Sequence, residues 1–143
     1  MPHVRKTWRQ KLDAAKAKVS ECKVFKCEQS GKVFVVPSPV RLEQIIRSLP
    51  WGELITMQQL AQRLAAEHGA DLACPMTTGI FCRLIAEAVE ESSRPGAVPW
   101  WRVLKTGNEL NPKYPGGGLL QRQRLEAEGH RVKPVGKKLI VAD

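Results

Sequence analysis

Apolar residues recur at helical spacing in several stretches of the chain and at strand spacing in shorter ones. Thr7 to Val19 is rich in helix formers, with Trp8, Leu12 and Ala15 on one thin apolar face. Glu21 to Gly31 is polar, ends in a Ser-Gly turn and reads as a linker. Lys32 to Val36 has the pattern of a short strand, which Pro37 stops. Ser38 and Pro39 are a helix cap and a first-turn proline. The helix they start, Val40 to Leu49, turns Val40, Leu42, Ile45, Ile46 and Leu49 inward, and Pro50-Trp51-Gly52 ends it.

After a short extended link at Leu54-Ile55, Thr56 caps a helix over Met57 to Glu67, with Leu60, Ala61, Leu64 and Ala65 inward and Gly69 closing it. A loop over Ala70 to Pro75 follows. Thr77 or Thr78 then starts a helix to about Glu91, with Gly79, Ile80, Phe81, Leu84, Ile85 and Ala88 as its apolar stripe. Two short helices joined by a turn and followed by an extended segment form a helix-turn-helix with a wing. The connecting loop is longer than in the tightest such motifs.

Ser92 to Ala97 reads as a loop, and Trp100 to Leu104 as extended. Thr106-Gly107-Asn108 turns and Glu109-Leu110 returns, a hairpin-sized unit. Asn111 to Gly118 can be neither helix nor central strand. Leu119 to Glu128 is a helix ended by Gly129, and Arg131 to Asp143 closes the chain as a hairpin or strand. The expected fold is mainly α: a winged helix-turn-helix DNA-binding domain over residues 32–143 with a small hairpin wing, preceded by a basic N-terminal helix and linker over residues 1–31.

Composition sharpens the partner. The formal net charge is +9 and the pI about 9.7, which favours a polyanion, with double-stranded DNA the first candidate. Residues 1–32 hold nine lysines and arginines against three acids, as an arm along a phosphate backbone would. No apolar run is long enough to span a bilayer, and the first residues lack the apolar core of a signal peptide. A cytoplasmic monomer is expected. The four cysteines, Cys22, Cys27, Cys74 and Cys82, form no Cys-x-x-Cys pair and are expected as free thiols. Cys22 and Cys27 with His3 are of zinc-ligating type but wider in spacing than a usual knuckle. Neither metal nor cofactor is expected.

The most informative stretch is Val98-Pro99-Trp100-Trp101-Arg102-Val103, with two of the four tryptophans side by side. In an extended segment the two indoles would point to opposite faces, one packing inward and one lining a pocket or surface. Gly116-Gly117-Gly118 is the second. Glycine permits positive φ and lets a backbone or flat ring approach closely, and the following helix N-terminus favours an anion.

Pro-Trp-Trp-Arg-Val resembles the Pro-Cys-His-Arg-Val motif of the O6-alkylguanine-DNA alkyltransferases, and the resemblance continues through Tyr114-Pro115-Gly116-Gly117 to Glu128-Gly129. It covers roughly Val40 to Val132, the DNA-binding domain of that family. It implies that Trp100 stands where the alkyl-accepting cysteine would be and Trp101 where its histidine would be. Tyr114 then matches the pocket tyrosine, and Glu128 the glutamate that orients the histidine. Alkyltransferase-like proteins also carry tryptophan at the cysteine position but keep the histidine. The implied protein is not an enzyme. It binds alkylated or otherwise damaged guanine in duplex DNA, in a pocket made by Trp100, Trp101, Tyr114, Gly116, Gly117 and Met57, and flags it for downstream repair proteins.

Two departures matter. The family's phosphate-rotating tyrosine position is Met57, and its intercalating arginine position is Met76; methionine can wedge between bases without replacing their hydrogen bonds. The other expected DNA contacts are Thr56, Thr77, Thr78, Arg83, Arg102 and Lys113. Thr77 and Thr78 serve equally as helix caps, and Arg102 also suits an ordering role through carbonyls or an ion pair. Glu87 to Glu91 is acidic and should face away from DNA. Cys82 lies in an apolar stripe, where burial makes a thiol inert. The alternative function is a winged-helix regulator or architectural protein with no preference for lesions.

Overall fold

The computed structural model describes residues 6–92 and 98–142. Its elements are helices α1 (Trp8–Lys18), α2 (Pro39–Arg47), α3 (Met57–Glu67), α4 (Pro75–Glu91) and α5 (Leu119–Ala127), with strands β1 (Lys23–Lys26), β2 (Val33–Val36), β3 (Ile55–Thr56), β4 (Leu72–Ala73), β5 (Val103–Leu104), β6 (Val132–Val135) and β7 (Lys138–Val141). His3 and the residues 93–97 of the expected loop lie outside the described residues.

Local chemistry sets the helix starts. Thr7 and Thr56 each form a capping box, with Gln10 and Gln59 returning the bond. Ser38 caps α2 ahead of Pro39. The capless α4 begins at Pro75, two residues before the expected threonines. There proline's missing N–H would have had no helical partner.

Helix α4 is the centre of the packing, contacted by α1, α2, α3 and the Trp100–Arg102 turn. Its buried face is Thr78, Cys82, Ile85, Ala86, Ala88 and Val89. This corrects the expected stripe: Ile80 points outward, 53% exposed. The helix has more apolar residues than one face can hold, so periodicity alone did not fix the phase.

Helix α1 docks through Trp8 and Leu12. Leu12 is fully buried in the common core, and the Glu91 carboxylate accepts the backbone N–H groups of Trp8 and Arg9 at 3.0 and 3.2 Å. Those are donors that a helix N-terminus otherwise leaves unpaired. The expected linker is partly strand: β1 pairs antiparallel with β2, Phe25 opposite Phe34, and β2 pairs parallel with β4. Thus α1 and β1 join the same body as the helix-turn-helix.

The hairpin expected around Thr106-Gly107-Asn108 is reduced to one bridge, Lys105 to Glu109, with Asn108 at φ 60°. Instead β5 pairs parallel with β3, Ile55 beside Val103. That pairing sets the Trp-Trp-Arg turn beside the start of α3. The tail forms the antiparallel hairpin β6–β7, turning at Gly136. No helix among the described residues is long and apolar enough to cross a membrane.

Candidate nucleic-acid interface

Trp100 to Arg102 is a turn of 3-10 helix rather than an extended strand. The alternation that would send the two indoles to opposite faces therefore does not apply. Both are buried, at 1% and 8% exposure, and they meet edge to face with centroids 5.9 Å apart. Tyr114, 3% exposed, packs edge-on against Trp100 at 5.4 Å. The expected aromatic pocket is thus filled by its own walls: a base from solvent cannot reach the Trp100 ring as it stands.

Each indole N–H is tied to a carboxylate that also holds an arginine. Trp101 Nε1 donates to Glu128 at 2.6 Å, and Arg102 Nε donates to both Glu128 oxygens at 3.0 Å. The Gly52 backbone N–H adds a bond at 2.8 Å. Burial pushes the Glu128 carboxyl up, but the bonds from Arg102, Trp101 and Gly52 outweigh it and leave the carboxyl below its ordinary range. Trp101 thus gives Glu128 the N–H that the resemblance expects from a histidine. Trp100 Nε1 donates to Glu90 at 3.0 Å, and Arg124 holds Glu90 with two bonds of 2.6 Å.

Arg102 is buried and also donates to the Leu49 carbonyl at 2.6 Å. Of its two expected roles, these bonds match the ordering one rather than a DNA contact: Nε and Nη1 tie the turn to Glu128 and the Leu49 carbonyl. Thr78 is likewise buried, its hydroxyl donating to the Cys74 carbonyl at 2.8 Å. The Thr77 hydroxyl donates to Cys74 Sγ at 3.1 Å, and the Thr56 hydroxyl accepts the Gln59 N–H. Thr56 acts as a helix cap, and Thr77 and Thr78 bond back to Cys74 within the first turn of α4.

The triple glycine is needed by the chain itself. A Cβ on Gly116 would lie 2.5 Å from the Leu120 Cβ, and Gly118 starts α5 at φ 98°, where other residues are strained. The close approach is thus made by α5 rather than by a guest ring. A cavity of about 80 Å³ beside Gly117 and Gly118 is lined by Lys137, Lys138 and Leu139, not by the aromatic trio.

Burial pushes the Cys82 thiol up to about 12, and burial followed by the nearby Cys82 raises the Tyr114 hydroxyl well above its ordinary range. Neither group is an acid or nucleophile near neutral pH.

The open surface lies in front of α4. A groove of about 390 Å³ is lined by Met57, Pro75, Met76, Gly79, Ile80 and Arg83 on one side and by Lys105, Asn111, Pro112 and Lys113 on the other. Met76 is 73% exposed. With Ile80 and Arg83 it makes an outward face at helical spacing. Arg83 also lies 5.4 Å over the Trp8 ring, so α1 reaches the flank of this face. The groove brings together Met57, Met76, Arg83 and Lys113. Sequence reasoning missed Ile80, Lys105 and Asn111 in it. It also missed Gln121, which is fully buried, donates to the Trp101 and Val103 carbonyls at 3.1 Å and accepts the Asn111 N–H at 2.9 Å.

An exposed helix face behind a basic groove, with α3 braced across it, is the architecture of a helix-turn-helix-like DNA-binding domain. Residues 39–130, well over half of the chain, match the family described as 6-O-methylguanine DNA methyltransferase, DNA binding domain, and the chain belongs to that family.

The fold is also similar to S. pombe Atl1 in complex with damaged DNA containing O6-carboxymethylguanine. That match has 18% identity and a TM-score of 0.50, over 73% of this chain and 87% of that one. A second structure, S. pombe ATL in complex with DNA, matches at 16% identity and a TM-score of 0.51 over the same shares. No curated protein matches the sequence.

Proposed function

We propose that this protein binds duplex DNA without catalysis and recognises guanine that is alkylated or otherwise damaged, marking it for other repair proteins. The observation that carries non-catalytic DNA binding is the pairing of a sealed reaction centre with an open basic groove, while the preference for damaged guanine rests on the likeness to the alkyltransferase-like proteins. Where the resemblance places the thiol nucleophile stands a buried indole, and the nearest alternative thiol, Cys82, stays protonated. In front of it, Met76 and Ile80 form an apolar wedge suited to a minor groove. Arg83, Lys105 and Lys113 supply phosphate contacts. The β6–β7 hairpin, with exposed Lys133, Lys137 and Lys138, takes the place of a wing. The solved relatives S. pombe Atl1 and ATL, held on DNA in their structures, support the DNA partner.

Titration of matched duplexes with and without O6-methylguanine tests this reading. Tighter binding to the modified duplex is expected, with no methyl group added to the protein by mass. Methylated protein would end the non-catalytic reading. Equal affinity would leave the second one, a helix-turn-helix binder without lesion preference. The closure of Trp100 and Tyr114 favours that alternative. Arg83→Ala should weaken binding to both duplexes alike and lower the salt slope by about 1; a slope left unchanged would remove Arg83 from the interface.

A further inference from the structure

The family match begins at residue 39. Residues before it build α1, β1 and β2, and β1 is the outer strand of the sheet β1-β2-β4. Its free edge can be read from the bonding pattern. Val33 and Val35 turn their carbonyls toward β4, accepting from Asp71 and Cys74. Phe34 and Val36 therefore turn theirs toward β1, where they face Phe25 and Lys23. The bond from Cys27 N–H to the Lys32 carbonyl fits the same alternation. Val24 and Lys26 are left with backbone N–H and C=O groups pointing outward. All four residues of β1 are exposed, and no described segment pairs with that edge.

Val24 and Phe25 are 48% and 50% exposed and lie on opposite faces of the strand. Phe25 is stacked on Phe34, centroids 5.6 Å apart and nearly parallel. A base could stack on the phenylalanine face, but it would leave Val24 bare. An added strand, whose side chains alternate, covers both faces at once and pairs the free backbone groups. Lys23 and Lys26 have no ion pair among the described residues and decide which strand. A second copy of β1, which holds two lysines and no acid, would only add like charge at this edge, a known guard against self-pairing.

We propose that the β1 edge is a docking site for an extended segment of a partner protein with the pattern acidic–apolar–apolar–acidic, the complement of Lys23-Val24-Phe25-Lys26. The site is separate from the DNA groove. The acids meet Lys23 and Lys26, and the apolar residues cover Phe25 and Val24.

A fluorescent peptide centred on Glu-Val-Val-Glu is the probe, with its Lys-Val-Val-Lys counterpart and single-stranded oligothymidylate as competitors. The glutamate peptide should bind, and amide exchange should slow at Val24 and Lys26. Val24→Pro removes one outward donor without touching the β2 pairing. It should weaken the peptide about tenfold or more and leave duplex DNA affinity unchanged. A glutamate peptide that fails to bind, or protects other amides, would overturn the proposal. So would displacement by oligothymidylate, or equal binding of the lysine peptide.

Discussion

The two neighbouring tryptophans are anchored by the same device in two different settings. Trp101 gives its N–H to Glu128, which is clasped by Arg102; Trp100 gives its N–H to Glu90, which is clasped by Arg124. The Glu128 and Arg102 side chains are 1% and 9% exposed, those of Glu90 and Arg124 16% and 24%. The same contacts therefore weigh differently. In the inner knot a missing partner leaves a charge in the protein interior, whereas in the outer one water can enter. The inner knot also joins more of the chain, since Gly52 and the Leu49 carbonyl belong to it.

The sharpest way to break the comparison is Glu128→Ala. It strands the Arg102 guanidinium and should cost about 3–5 kcal/mol of stability, read by urea denaturation. Glu90→Ala should cost about 1–2 kcal/mol, since Arg124 can turn to solvent and one indole bond is lost. Equal losses would mean that burial does not separate the knots.

A smaller effect of the inner knot is read by pH. The folded Glu128 carboxyl titrates below its unfolded counterpart, so on acidification the unfolded chain takes up the proton first. The stabilisation is full at neutral pH. It fades as pH falls through the ordinary carboxylate range and is gone below the folded carboxyl's own range. Glu128→Gln should flatten that part of the stability–pH curve; an unaltered curve would show that Glu128 does not drive it.

Much of the frame was legible in the sequence because its signals are local. The Thr56 cap, the Ser38-Pro39 start and the 3.6-residue periodicity of α2 and α3 each depend on a few adjacent residues. Glycine punctuation likewise placed Gly129 after α5. Failures came where distant partners decide. Glu21 to Gly31 is polar enough for a linker, yet the paired β2 draws Lys23–Lys26 into a strand. The Trp-Trp-Arg turn curls because Glu90 on α4 and Gln121 and Glu128 on α5 and its cap hold its donors and carbonyls. Of the candidate site, Met57, Met76, Arg83 and Lys113 share the groove. Ile80 was assigned inward because an apolar residue on an apolar-rich helix carries no sign of which face it takes.

The clasp of Glu91 on the first amides of α1 has a practical consequence. An acidic residue at a helix C-terminus is ordinarily disfavoured by the local dipole, and here the opposite pole of α1 compensates it. A version trimmed to the family-matched portion would lose that compensation and uncover the seat of Leu12. It would offer a bare oily flank directly behind α4, so anyone isolating residues 39–130 should carry residues 6–38 along with them.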